Sequence, residues 1–155
     1  MAAKQSSSEP VSDRELITSR TIDASPDRVF AAILDPAQLA QWWGPDGFTN
    51  TFEEFQPRAG GKWRFVMHGP DGKDYPNESR FARIVPDRLV EIEHLSGHHF
   101  VLTIELLQRG AGTLVAWQQA FDTAEHYGRV AAFVAVANEQ NLERLAAEVQ
   151  RVWQA

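Results

Sequence analysis

Glu91 and Glu93 stand two apart in a strand-like stretch, and Glu105 falls on a neighbouring one. Carboxylates sharing a strand face are the residue types for general acid–base chemistry, provided that burial raises one of their pKa values. The alternative is a solvated outer face on which they pair with Arg80 and Arg83. The chain has five histidines and no cysteine. His98 and His99 are adjacent, and adjacent strand residues point to opposite faces, so they are poorly placed to share a metal. His68 stands alone, and His94 precedes His98 by four residues across a Ser96-Gly97 turn rather than on one helix face, so this spacing does not make a helical metal pair. Thiolate ligands are excluded, and neither a metal nor another cofactor is expected. Arg58-Ala59-Gly60-Gly61-Lys62 joins two strands and opens no helix, so it reads as a turn rather than a phosphate loop. Ser79 and Ser96 lack a nucleophile-elbow context.

The stronger signal is for binding. The chain carries five Trp and nine Phe, residues that either fill a core or line an aromatic cavity. Trp42 and Trp43 end a short helical segment, where neighbours point about 100° apart. One is expected to pack in the core, with Trp42 the candidate for roofing a cavity. Strand alternation places Trp63, Phe65 and Met67 on one face, and with them Phe81, Leu102, Ile104, Trp117 and Gln119. On the C-terminal helix Val134, Asn138 and Asn141 share the sheet-facing side with Leu145. Polar members of such a set are informative, because a bare buried amide costs a few kcal/mol. Gln119, Asn138 and Asn141 therefore either sit wet at the stripe edge or orient a ligand across a cavity. Gln118 points the other way.

The elements that position these residues are legible from periodicity and punctuation. Residues 15–22 read as a first strand. Ser25-Pro26 and Asp35-Pro36 are two cap-plus-proline signals for short helices. Gly44-Pro45-Asp46-Gly47 stops the second helix. Six strands follow over about 50–56, 62–68, 75–85, 88–95, 99–108 and 113–121, and their short separators favour antiparallel neighbours. From about 123 to 153 the pattern is helical, roughly 40 Å long, with Asp122 and Glu125 spaced as a capping box and Gly128 a weak point. The expected fold is α+β. A curved seven-stranded antiparallel sheet wraps around the long C-terminal helix, with two short helices between strands 1 and 2.

Length fits one domain, read as residues 14–155 behind a disordered tail over 1–13. Net charge is −6, which repels phosphate backbones, and the basic residues are scattered, so nucleic acid is not an expected partner. No apolar run suffices for membrane insertion, and the polar N-terminus has no signal-peptide character. Absence of cysteine fits a reducing cytoplasmic location. Exposed sheet edges leave monomer and homodimer both open.

Four passages carry a family resemblance: Ser25-Pro26-Asp27-Arg28-Val29-Phe30 with Leu39-Ala40-Gln41-Trp42-Trp43-Gly44-Pro45; Phe55, Pro57 and Gly60-Gly61-Lys62-Trp63-Arg64-Phe65; Ile84-Val85-Pro86-Asp87-Arg88-Leu89-Val90; and Asn138-Glu139-Gln140-Asn141-Leu142-Glu143-Arg144-Leu145. Spanning about residues 14–150, they resemble the START-like (SRPBCC, helix-grip) superfamily, in the branch named after the activator of the heat-shock protein 90 ATPase. The resemblance implies a fold and a cavity rather than a reaction, since the superfamily holds lipid carriers, hormone receptors, aromatase/cyclases, self-resistance proteins and co-chaperones. Many members carry a Gly-Trp pair where this chain has Ala137-Asn138. If that Trp fills cavity space, its loss leaves a roomier or more polar pocket. The leading expectation is a domain binding a small apolar or aromatic, lipid- or polyketide-like ligand in a cavity of roughly 300–1,000 Å³. A cyclase- or hydrolase-type enzyme and a co-chaperone-like stimulator with a chaperone partner are the alternatives.

Overall fold

Alternation at a period of two builds the sheet of this chain. In the computed structural model, which describes residues 6–154, the clearest case is Lys62–His68, where Trp63 and Phe65 are buried and Lys62 and Arg64 exposed. The chain runs β1 (Ser7–Ser12), β2 (Glu15–Ile22), α1 (Pro26–Leu34), α2 (Pro36–Trp42), β3 (Thr49–Phe55), β4 (Lys62–His68), β5 (Asp74–Val85), β6 (Leu89–His94), β7 (Phe100–Arg109), β8 (Gly112–Phe121) and α3 (Ala124–Gln154). One antiparallel sheet has the order β1-β2-β8-β7-β6-β5-β4-β3. Register shifts in β3 and β5 supply local bends, which help a sheet curve around a helix.

The sheet has eight strands, not seven. The added strand, β1, lies in the segment expected to be a disordered tail. It pairs with β2 through a register that includes Ser8 opposite Thr18, and the two hydroxyls are 2.9 Å apart. Pro10 is tolerated because β1 is an edge strand and its register shifts beside the proline. The tail predicted over 1–5 lies outside the described residues.

Two capping expectations also change. Ser25 precedes α1, but its hydroxyl donates to Asp27 and makes no side-chain cap bond. At α3 the cap is Thr123, whose Oγ1 accepts from the His126 N–H at 3.1 Å, while Asp122 is engaged by His99. Asp35 behaves as expected, accepting from the Ala37 N–H at the start of α2.

The buried side of α3 reads Val134, Asn138, Asn141, Leu142, Leu145, Glu148 and Val149, with Ala137 only half-buried. Its second half joins the main core with Trp42, Trp63, Phe81 and Ile104. Glu148 is buried without isolation, because Arg151 donates to both carboxylate oxygens at 2.8 and 2.7 Å. Among the described residues no helix is long and apolar enough to cross a membrane.

Gly128 does not interrupt α3. A methyl group added there would meet nothing within 4 Å. Gly128→Ala is therefore expected to stabilise the protein by about 0.5–1 kcal/mol through helix propensity alone, read as a rise in the denaturation midpoint. An unchanged or lower midpoint would count against a continuous helix through this turn.

Candidate functional site

Two rows of side chains cross the concave face of the sheet. Pairing across β2, β8, β7, β6 and β5 aligns Leu16, Gln119, Leu102, Ile92 and Phe81, and next to them Thr18, Trp117, Ile104, Val90 and Ile84. Gln119 is the polar member of the first row. It meets α3, where Asn138 Nδ2 donates to Gln119 Oε1 at 3.0 Å.

One turn further along α3, three side chains fasten the loop after α2. Asn141 Oδ1 accepts from the Gly44 N–H at 2.9 Å, and Gln140 Oε1 accepts from the Asp46 N–H at 3.1 Å. Arg144 then collects five backbone carbonyls. Its Nη1 donates to Trp43, Gly44 and Pro45 at 3.4, 2.7 and 2.9 Å, and Nη2 donates to Gln41 and Phe48 at 3.0 and 2.9 Å. Partial burial pulls this guanidinium below its usual pKa, with Asp46 acting in the opposite direction, but an arginine stays charged at any working pH. Gly44 is required here. Its φ is +102°, and a Cβ would come within 2.8 Å of the Met67 side chain.

This clamp places Trp43, Gly44 and Pro45 as one wall of a cavity of about 240 Å³. Phe65 and Met67 of β4 form another wall, Leu102 and Trp117 the floor, and Asn138 and Asn141 the α3 side. Asn77, His94, Phe100 and Gln119 complete it. Among the described residues, no Asp, Glu, Lys or Arg lines this space. Three amide side chains of the lining are incompletely hydrogen-bonded: Gln119 Nε2, Asn138 Oδ1 and Asn141 Nδ2 have no protein partner among the described residues and are not sealed from the surface.

His94 is the titratable group of the lining. It stacks on Phe100 with ring centroids 4.6 Å apart. Burial holds it below the usual imidazole range, and His99 and His98 add to the effect, so it is neutral at pH 7. The carboxylates considered for acid–base work are on the other face. Glu91 accepts from Thr103, Glu93 from Arg80 and His99, and Glu105 is exposed. The solvated outer face is their actual environment. Among the described residues, no group of three or more His, Asp or Glu could hold a metal ion.

Of the residues singled out from the sequence, Phe65, Met67, Leu102, Trp117, Gln119, Asn138 and Asn141 line this cavity, and Val134 lines an adjoining one. Trp42, Trp63, Phe81 and Ile104 do not reach it, and all four are buried in the core. Trp42 donates its indole N–H to the Ala32 carbonyl at 2.9 Å, so Trp43 is the member of the pair that faces the cavity. Trp43 also covers Trp63, at 4.9 Å between centroids. Sequence reasoning missed Asn77, His94 and Phe100. The register signal for the last two was present, since His94 and Phe100 are direct partners across the β6–β7 hairpin.

His99 brackets the outer end of this region, with Nε2 2.8 Å from Glu93 and Nδ1 2.7 Å from Asp122. Its hydrogen bonds to Glu93 and then Asp122 raise its pKa, and His99 and then Arg80 lower that of Glu93. The raised histidine stabilises fully below its unfolded value near 6.5 and loses that contribution as pH rises through its folded pKa. The lowered Glu93 contributes above about 4.5 and loses its share as pH falls. The bracket is thus strongest between about pH 4.5 and 6.5. His94 works oppositely, favouring the fold above about 6.5. His99→Gln is expected to lower the melting temperature by about 2–4 °C at pH 5.5, the scale of an exposed pair, and by less at pH 8.5. Equal losses at both pH values would remove the bracket from the account.

The sequence profile of the activator of Hsp90 ATPase homolog 1-like proteins matches residues 23–150. The chain belongs to this family. Solved structures agree with the activator-homologue fold. A protein of Rhodobacter sphaeroides is 27% identical, with a TM-score of 0.85 over 95% of this chain and 99% of that one. At 15% identity a Nitrosomonas europaea protein still gives a TM-score of 0.86, over 94% and 100% of the two chains. The activator-homologue protein of Silicibacter pomeroyi, 21% identical, gives 0.70 over 87% and 96%. The last two show the fold alone. No curated protein matches the chain.

Proposed function

We propose that this activator homologue binds a small, neutral, aromatic or apolar molecule between α3 and the sheet. The observation that carries this reading is the union of aromatic walls with three amide side chains that each keep one polar atom without a protein partner among the described residues. Ligand sites are typically apolar clefts in which a few placed polar groups fix orientation. A charged ligand is disfavoured, because no charged side chain in the lining offsets its desolvation. An enzyme of cyclase or hydrolase type is less well supported. The lining offers neutral His94 but no carboxylate with which it could share proton transfer.

Native mass spectrometry of freshly purified protein should show a co-purifying neutral molecule. Titration with 2-naphthol should quench tryptophan emission saturably, and 2-naphthoate should do so at least tenfold more weakly. Absence of any adduct, with no thermal shift across a lipid and polyketide panel, would sink ligand storage.

A surface role as stimulator of a heat-shock chaperone ATPase is the second reading. It is favoured by Phe133 and Val136 of α3, which are 70% and 56% exposed, since exposed apolar groups mark docking sites when they cluster. The double variant Phe133→Glu/Val136→Glu should then abolish stimulation of a purified chaperone's ATPase. A rate unaffected by the wild-type protein would remove this reading.

A further inference from the structure

The cavity, at about 240 Å³, is smaller than the sequence led one to expect. Beside it, toward the start of α3, lies a second space of about 240 Å³. The two share Phe100, Gln119 and Asn138. The shared amides are the pair joined by the Asn138 Nδ2 to Gln119 Oε1 contact. The second space is more apolar, walled by Phe121, Val130, Phe133, Val134 and Ala137, with His98 and His126 also lining it.

We propose that these spaces are two chambers of one site and that the Gln119–Asn138 hydrogen bond is the partition setting ligand length. The inference rests on the binding function proposed above and names its ligand class: a neutral amphipathic molecule with a ring-bearing polar head and an apolar tail. The head occupies the chamber of Trp43, Trp117 and Asn141. The tail passes between Gln119 and Asn138 into the chamber of Phe121, Val134 and Ala137. The chemistry of each chamber makes the assignment. The first holds Asn141, whose Nδ2 has no protein partner among the described residues, while Gln119 and Asn138 border both. The second presents aliphatic and aromatic carbon, and Phe133 at 70% exposure gains cover only when something lies against it.

A partition made from two primary amides suits this role. Opening it breaks one neutral hydrogen bond, a cost that a ligand hydroxyl or carbonyl recovers only in part and that deleting either amide removes. A leucine pair at the same place would close the passage with packing that no polar head could replace. Ligands that stop at the partition leave the bond intact. Longer ones must break it before their tails are sheltered.

The experiment compares 2-naphthol with 6-octyl-2-naphthol, which share a head and differ by the tail. Wild type, Asn138→Ala, Gln119→Ala and the double variant are titrated by fluorescence. Either single variant should improve the octyl probe's Kd at least tenfold relative to that of 2-naphthol. The double variant should add little, because each single change already removes the partition. Ala137→Trp, which fills the second chamber, should cost the octyl probe at least tenfold and 2-naphthol less than threefold. Because a variant can fail to fold, wild type is also followed by NMR. The octyl probe should shift resonances of Val130, Phe133 and Ala137 that 2-naphthol leaves in place. If 2-naphthol binds wild type but both probes respond alike to every variant, or the octyl group disturbs none of those residues, the partition is wrong while the first cavity stands. If 2-naphthol does not bind at all, the parent reading falls with it.

Discussion

Asn138→Trp is expected to abolish small-molecule binding while leaving the fold at least as stable. Asn138 borders both cavities and is 6% exposed, so an indole there must occupy the space a ligand would use. An indole buries about 150–250 Å², worth roughly 4–6 kcal/mol at about 25 cal/mol per Å². Against this stand about 1–3 kcal/mol for leaving Gln119 without its partner and about 1–3 kcal/mol for overpacking. The ranges span about −2 to +4 kcal/mol and centre on a small gain. The melting temperature should hold or rise, and the affinity for 2-naphthol should fall at least a hundredfold. A variant that keeps both stability and affinity would show that the ligand lies elsewhere. If stability collapses, the two cavities are too tight to be ligand space.

The second large effect concerns Arg144. Arg144→Met keeps much of the side-chain stem but leaves five carbonyls of residues 41–48 without their shared donor. Hydrogen bonds to charged groups contribute about 1.5–3 kcal/mol each when deleted singly, but here they share one guanidinium and solvent reaches part of the loop. A net loss of about 2–4 kcal/mol follows, or roughly 5–15 °C in melting temperature for a domain of this size. Affinity should fall at least tenfold in parallel, because Trp43, Gly44 and Pro45 form a cavity wall. Arg144→Lys should recover less than half of either loss, since an ammonium is a compact point donor without the planar fork. A melting temperature within about 1 °C of wild type for the methionine variant would reduce the clamp to a surface contact.

The clamp also explains why two distant motifs belong together. Trp42-Trp43-Gly44-Pro45 and Gln140-Asn141-Leu142-Glu143-Arg144 are about a hundred positions apart in the chain, yet α3 holds that loop by side chains at 140, 141 and 144. Alternation located β2 and β4 to the residue, and proline with its preceding polar residue located α1 and α2. The spacing of apolar residues located α3. What escaped the sequence has physical causes. β1 is polar and contains a proline, so it has no alternation to betray it; it pairs on a single side. Trp42 and Trp43 are chemically identical, and their assignment depends on how Gly44 turns the chain. Arg144 looks like any solvated helix arginine, because its acceptors are backbone carbonyls, which have no sequence signature. The sequence did mark Gln119, Asn138 and Asn141 as anomalous amides. It could not show that two of them bond to each other and that the third holds a glycine N–H.

Four of the five tryptophans stand close enough to exchange excitation. Trp43 is 5.7 Å from Trp42, 4.9 Å from Trp63 and 5.6 Å from Trp117 between centroids. The fifth, Trp153, lies half-exposed at the end of α3 with the Arg28 guanidinium 4.5 Å from its ring centroid. The chain therefore contains a buried chromophore cluster and a separate reference fluorophore. A molecule entering beside Trp43 and Trp117 perturbs the coupled set and leaves Trp153 nearly untouched. Exciton bands in the near-ultraviolet circular dichroism should then change without a matching change in the red-shifted emission, so the protein reports its own occupancy without a label.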